Sequence, residues 1–183
     1  MNERYDASES YNTLPENITE SMCIKIRNRV VLTLLKDSSY GLFKNLILGE
    51  KYIREKILTI IIKKCLNGSS DEEMDSIIKD INHTSERWDG SSDGLYEALD
   101  IILEDGNREC SNWNFNFQQI WTLKQLFPDE TELAEEKEIE LFIKIQGVLF
   151  PEKNRITSKE QVEVYNKMKK FLDEISGLIK KIV

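Results

Sequence analysis

The sequence predicts an all-α protein, a single bundle-like domain of about six to eight helices over residues 17–183 behind a flexible N-terminal tail, 1–16. Three observations predict it. Four small capping residues each stand three positions before a glutamate, at Asn17/Glu20, Ser70/Glu73, Asp129/Glu132 and Thr157/Glu160, and each precedes an apolar run at helical spacing. Proline occurs only at 15, 128 and 151, outside the proposed helix interiors, where it would remove a backbone donor and clash with the preceding turn. Strand-like alternation is confined to 113–117, which runs directly into a helical stretch, 118–127.

The first helix is expected to begin after Asn17. Residues 39–48 and 50–66 read as two further helices hinged near Gly49, with Ile53, Ile57, Ile60, Ile61 and Lys64 three or four apart in the second. Helices then start at Ser70, near Gly94, at Asp129 and at Thr157. The last of these is the longest. Its Tyr165, Met168, Leu172, Ile175, Ile179 and Ile182 form a heptad-like seam, which serves either the domain core or a homodimer through this helix. Two short echoes, Gly68-Ser-Ser-Asp71 with Gly90-Ser-Ser-Asp93 and Leu126-Phe-Pro128 with Leu149-Phe-Pro151, are cap and stop chemistry, and no self-similar apolar pattern joins them into a repeat array.

Charge is unevenly divided. Residues 71–140 carry 20 Asp/Glu against 5 Lys/Arg, whereas 21–66 carry 10 Lys/Arg against 3 Asp/Glu, within a net charge of −8 for all 183 residues. That balance opposes direct nucleic-acid binding, whose affinity comes mainly from cations that neutralise phosphates. Arg27, Arg29, Lys36, Lys44, Lys51, Arg54 and Lys56 either line a local basic patch or receive the acidic block. No apolar run has the length of a membrane span, and 1–13 has neither the basic nor the apolar region of a secretory signal, so a cytoplasmic protein without a membrane partner is expected. Cys23, Cys65 and Cys110 are odd in number and far apart, which suits reduced, mostly buried thiols better than a disulfide framework or a zinc site. His83 is expected to be exposed near a helix C-terminus, with no sequence neighbour that makes it a catalytic base.

Two stretches suggest divalent cations. Residues 89–100 place Asp89, Ser91, Asp93, Glu97 and Asp100 around Gly94 and Tyr96, and this stretch resembles the calcium loop of the EF-hand family. The resemblance implies ligands at positions 1, 3, 5, 9 and 12 from those five residues, with a sharp turn at Gly94; Asp100 stands where that family uses a bidentate Glu. The competing reading is that Ser91, Ser92 or Asp93 caps a helix. Glu72-Glu73 with Glu97-x-x-Asp100 is similar to part of the carboxylate pattern of helical MazG-type nucleotide pyrophosphatases, which would imply magnesium. Met74, Asp75 and Ser76 depart from that pattern, and an acidic helix start beside the positive end of its dipole accounts for the same glutamates.

The densest acidic stretch is 129–140. Glu132, Glu136 and Glu140 fall four apart and form one ridge if the stretch is helical, with Glu130 and Glu135 beside it. Trp113 and Phe115 open an aromatic cluster that continues through Phe117 and Trp121 and serves either the core or an interface. Read together, these features lead to a non-enzymatic binding protein that needs no cofactor and has no catalytic residues. Its partner-binding residues are Glu130, Glu132, Glu135, Glu136, Glu140, Trp113 and Phe115, and its partner is a basic protein such as a nuclease or other nucleic-acid enzyme, in the manner of toxin-immunity proteins or phage-encoded anti-defence inhibitors. A divalent-metal-binding helical protein and a homodimeric scaffold are the alternatives.

Overall fold

The computed structural model describes residues 20–36, 40–87, 92–109 and 132–182. Seven helices occur among them: α1 (Glu20–Lys36), α2 (Tyr40–Leu48), α3 (Lys51–Leu66), α4 (Asp71–Arg87), α5 (Ser92–Glu109), α6 (Glu135–Leu149) and α7 (Ser158–Ile182). No strand is present among the described residues. The all-α class expected from the sequence holds, with seven helices among the described residues, while the 1–16 tail lies outside them.

The helix ends follow local chemistry. Ser70 Oγ accepts the Glu73 N–H at 3.2 Å while Glu73 Oε1 accepts the Ser70 N–H at 3.2 Å, a reciprocal capping box that opens α4. Thr157 and Glu160 repeat the arrangement at the start of α7, at 3.2 and 2.9 Å. At the other end of α3, Gly68 takes φ 71°, a left-handed conformation that glycine adopts without penalty. The Gly68 N–H then reaches the Cys65 carbonyl and the Ser69 N–H the Lys64 carbonyl, closing the helix in a Schellman turn. Gly49 separates α2 from α3 as expected, and here space decides the residue, because a Cβ would collide with the Asn45 carbonyl oxygen.

One expected helix start is corrected. Glu132 lies in a bend outside any helix, and α6 begins only at Glu135, after an extended Ala134 (φ −62°, ψ 144°) that has no side chain able to cap it. Leu133 is buried in the core, so anchoring this side chain sets the chain's entry ahead of the capping preference of Asp129. Asp129 itself lies outside the described residues, as does Asn17.

The core is a single cluster fed by all seven helices. Its centre is α3, where Ile53, Ile57, Leu58, Ile60, Ile61, Ile62, Cys65 and Leu66 are buried on nearly every side. Burial around so much of one helix requires neighbours on most sides, and α3 packs against α1, α2, α4, α5 and α7. The longest helix, α7, buries Val164, Met168, Phe171, Ile175 and Ile179 against that core. The expected seam is therefore rotated by about one position in places. Tyr165 is 47% exposed, whereas Phe171 is buried and meets Phe43 of α2 edge-on at 6.0 Å. The 113–117 and 118–127 stretches lie outside the described residues.

The basic block is largely absorbed by carboxylates. Arg29, buried in α1, donates to the Ser69 carbonyl and to Asp71, which also faces Lys36. Lys56 of α3 pairs with Asp100 of α5 at 2.5 Å, and Arg54 pairs with Glu174 of α7 at 2.5 Å. Two members of the acidic block, Asp71 and Asp100, thus fold onto cations of the 21–66 block. Among the described residues, no helix is long and apolar enough to cross a membrane.

Candidate protein-binding face on α6

The outer face of α6 is built from two adjoining rows. Residues four apart on a helix advance only about 40° around its axis, so they form shallow ridges. One ridge is Glu135, Ile139 and Ile143; the other is Glu136 and Glu140. The opposite side, Leu141, Ile145 and Val148, is buried, and this turns both ridges toward solvent. Ile139 is 52% exposed and Ile143 60%. Glu132, Glu135, Glu136 and Glu138 are exposed as well, and none is paired with a cation among the described residues. Glu140 is tied to Lys137 at 3.2 Å.

Part of this acidity has a structural role. Ala134 cannot cap α6, so Glu135, Glu136 and Glu138 in the first turn offset the exposed N–H groups and the positive end of the dipole, each worth roughly 0.3–1 kcal/mol. That role explains neither Glu132, which precedes the helix, nor two well-exposed isoleucines beyond its first turn. Of the residues expected to bind a partner, Glu132, Glu135, Glu136 and Glu140 are thus gathered at one end of α6; Glu130, Trp113 and Phe115 lie outside the described residues. Ile139 and Ile143 carry no such signal in the sequence. In a segment with apolar residues at 139, 141, 142, 143 and 145, no periodicity says which ones stay outside.

A groove of about 360 Å³ runs beside the second ridge, lined by Arg29, Leu32, Lys36, Asp71, Lys137 and Glu140 among others. Its charges are mutually satisfied: Asp71 by Arg29 and Lys36, Glu140 by Lys137. It therefore adds little free charge of either sign to the face.

The metal-like stretches are resolved differently. Ser92 already begins α5, so the positions that the calcium-loop resemblance assigns from 93 to 100 lie in one continuous helix, with no sharp turn at Gly94. Asp100, the last implied ligand, is engaged by Lys56. Glu72 and Glu73 form the exposed first turn of α4, with Glu73 held in its capping box. No group of three or more His, Cys, Asp or Glu side chains among the described residues is placed to hold a metal ion.

Cys23 and Cys65 are buried free thiols, and Cys110 lies outside the described residues. Burial pushes the Cys65 thiol up from its ordinary value near 9 to about 12, the nearby Arg29 guanidinium opposing the shift and Asp71 adding to it. A thiol raised in the folded state keeps its proton while the unfolded chain loses one. Stability from this group is complete below pH 9 and declines as pH rises toward 12. The expected loss by pH 10 is on the order of 1 kcal/mol. Urea titrations of the wild type and Cys65→Ala at pH 8 and 10 check it: the wild type should lose more stability than the variant over that interval, and equal losses would refute the shift. His83 is exposed on α4, with no nucleophile brought beside it by any described contact.

No protein-family model, curated protein or solved structure matches this chain.

Proposed function

We propose that this is a non-enzymatic binding protein whose acidic face, centred on α6, covers a positively charged partner protein, and that the partner is a nuclease or another enzyme with a basic nucleic-acid groove. The observation that carries the reading is the combination at 132–143. Exposed carboxylates surround two exposed isoleucines, and a face of that composition offers both long-range attraction and area to bury. A solvated helix face would account for the carboxylates but would ordinarily be polar between them. Inhibition follows from occupancy, since a groove that attracts phosphates also attracts this surface and cannot hold both. The reading places the protein in the reducing cytoplasm, in keeping with two buried thiols. The toxin-immunity and phage anti-defence roles are the biological settings in which such occupancy would matter.

Reversing Glu135, Glu136 and Glu140 to lysine tests the proposal. The side chains are exposed, so the fold should survive, while losing the dipole compensation of Glu135 and Glu136 and the Lys137–Glu140 pair should cost roughly 1–3 kcal/mol of stability, which circular dichroism at the binding temperature accounts for. Salt-sensitive binding to a basic nuclease, followed by titration against a panel of such enzymes at low and high salt, should weaken by roughly a hundredfold or more. Absence of salt-sensitive binding to every member of the panel, or binding indifferent to the reversal, would end the proposal.

A further inference from the structure

We infer that the partner meets α6 with a basic amphipathic helix, its apolar ridge seated in the furrow between the Glu135–Ile139–Ile143 row and the Glu136–Glu140 row. This rests on the acidic-face reading above and specifies what that face recognises. Two neighbouring rows four residues apart are the surface into which the ridge of another helix packs, at an axial crossing near 50°. The isoleucines, 52% and 60% exposed, supply the dry centre of such a contact. Glu135, Glu136 and Glu140 flank that centre and call for Lys or Arg at the rim of the incoming helix.

Other occupants fit less well. An extended peptide binds by adding a strand to a sheet edge, and a helix whose backbone is internally bonded offers none. A proline-rich segment needs an aromatic-lined groove, and the described residues of this face are Glu and Ile. A second copy docking through the same face would bring one set of carboxylates against another.

The two parts of the contact should separate kinetically. Rim charges govern association and its salt dependence, whereas the buried apolar pair governs dissociation.

The test uses the full chain and two synthetic peptides of identical leucine and lysine content, one with leucines at helical spacing and one scrambled. The helical-pattern peptide should bind at least about tenfold more tightly than the scrambled one. Ile139→Gln/Ile143→Gln should erase that preference by speeding dissociation, while leaving the salt dependence as it was. Glutamine keeps helix propensity, so the fold is preserved. Equal, salt-sensitive binding of both peptides would overturn this inference and leave the acidic-face reading standing; no salt-sensitive binding of either would remove both. A preference that survives the double substitution would also overturn it. So would a fall of several degrees in melting temperature, showing the isoleucines to be covered by their own chain, or a wild-type dimer that the substitution splits.

Discussion

Phe43→Ala should cost about 3–5 kcal/mol of stability, the largest loss expected from any single substitution considered. Phe43 is fully buried. Its ring packs edge-on against Phe171 of α7 at 6.0 Å, and the Lys144 ammonium of α6 sits 4.9 Å from its centroid on the way to the Leu34 carbonyl of α1. One ring therefore ties α2 to α6 and α7, and its removal deletes the transfer energy of the side chain and leaves a cavity that three helices must collapse around. Urea unfolding monitored by helical circular dichroism gives the number. Tyr165→Ala, at a ring 47% exposed on α7, is the control and should lose less than about 1.5 kcal/mol. A Phe43 variant no worse than this control would mean that the aromatic contact is not part of the core.

Glu174→Ala should follow, at about 3 kcal/mol. Arg54 is 12% and Glu174 25% exposed, and they meet through two guanidinium nitrogens, Nε at 2.5 Å and Nη2 at 3.3 Å, while Nη1 donates to the Gly49 carbonyl at 3.0 Å. Removing the carboxylate strands a cation in a largely dry site. Replacing both members with apolar residues of similar size, Arg54→Met with Glu174→Leu, should be much milder, because no charge is then left without its partner. The double-mutant cycle reads the difference directly. If the single and double variants lose the same amount, the pair is solvated enough to behave as a surface ion pair, worth at most about 1 kcal/mol.

Features that depend on a few neighbouring residues were legible in the sequence. The capping boxes at Ser70/Glu73 and Thr157/Glu160 form as the spacing implies, because donor and acceptor lie within one turn. The hinge at Gly49 and the helical spacing of Ile53, Ile57, Ile60 and Ile61 in α3 were legible for the same reason. Features set by distant packing were not. Arg54 and Glu174 lie 120 residues apart, and nothing local to either chooses the other. The α7 seam was found but placed slightly off, since Tyr165 and Val164 both fit a three–four alternation and only the neighbours of α7 decide that Val164 goes inside. At α6 the acidic ridge was legible from Glu136 and Glu140, but Glu132 falls outside the helix, in the bend that leads to the buried Leu133. The two exposed isoleucines of α6 were invisible for a related reason: a segment with more apolar residues than one face can bury does not say which will be left over.

The closure of α1 against α7 has a consequence for how the chain reaches this state. These helices pack together, and Lys180 reaches Glu20 across their ends at 3.0 Å. α1 completes its packing only when the last described helix has been made, so α3, which both help to enclose, lacks its full cover while the intervening segments leave the ribosome. The sequence order of the helices thus makes closure of the core a non-local event, in which the most widely packed element is made early and fully enclosed only once α7 is in place.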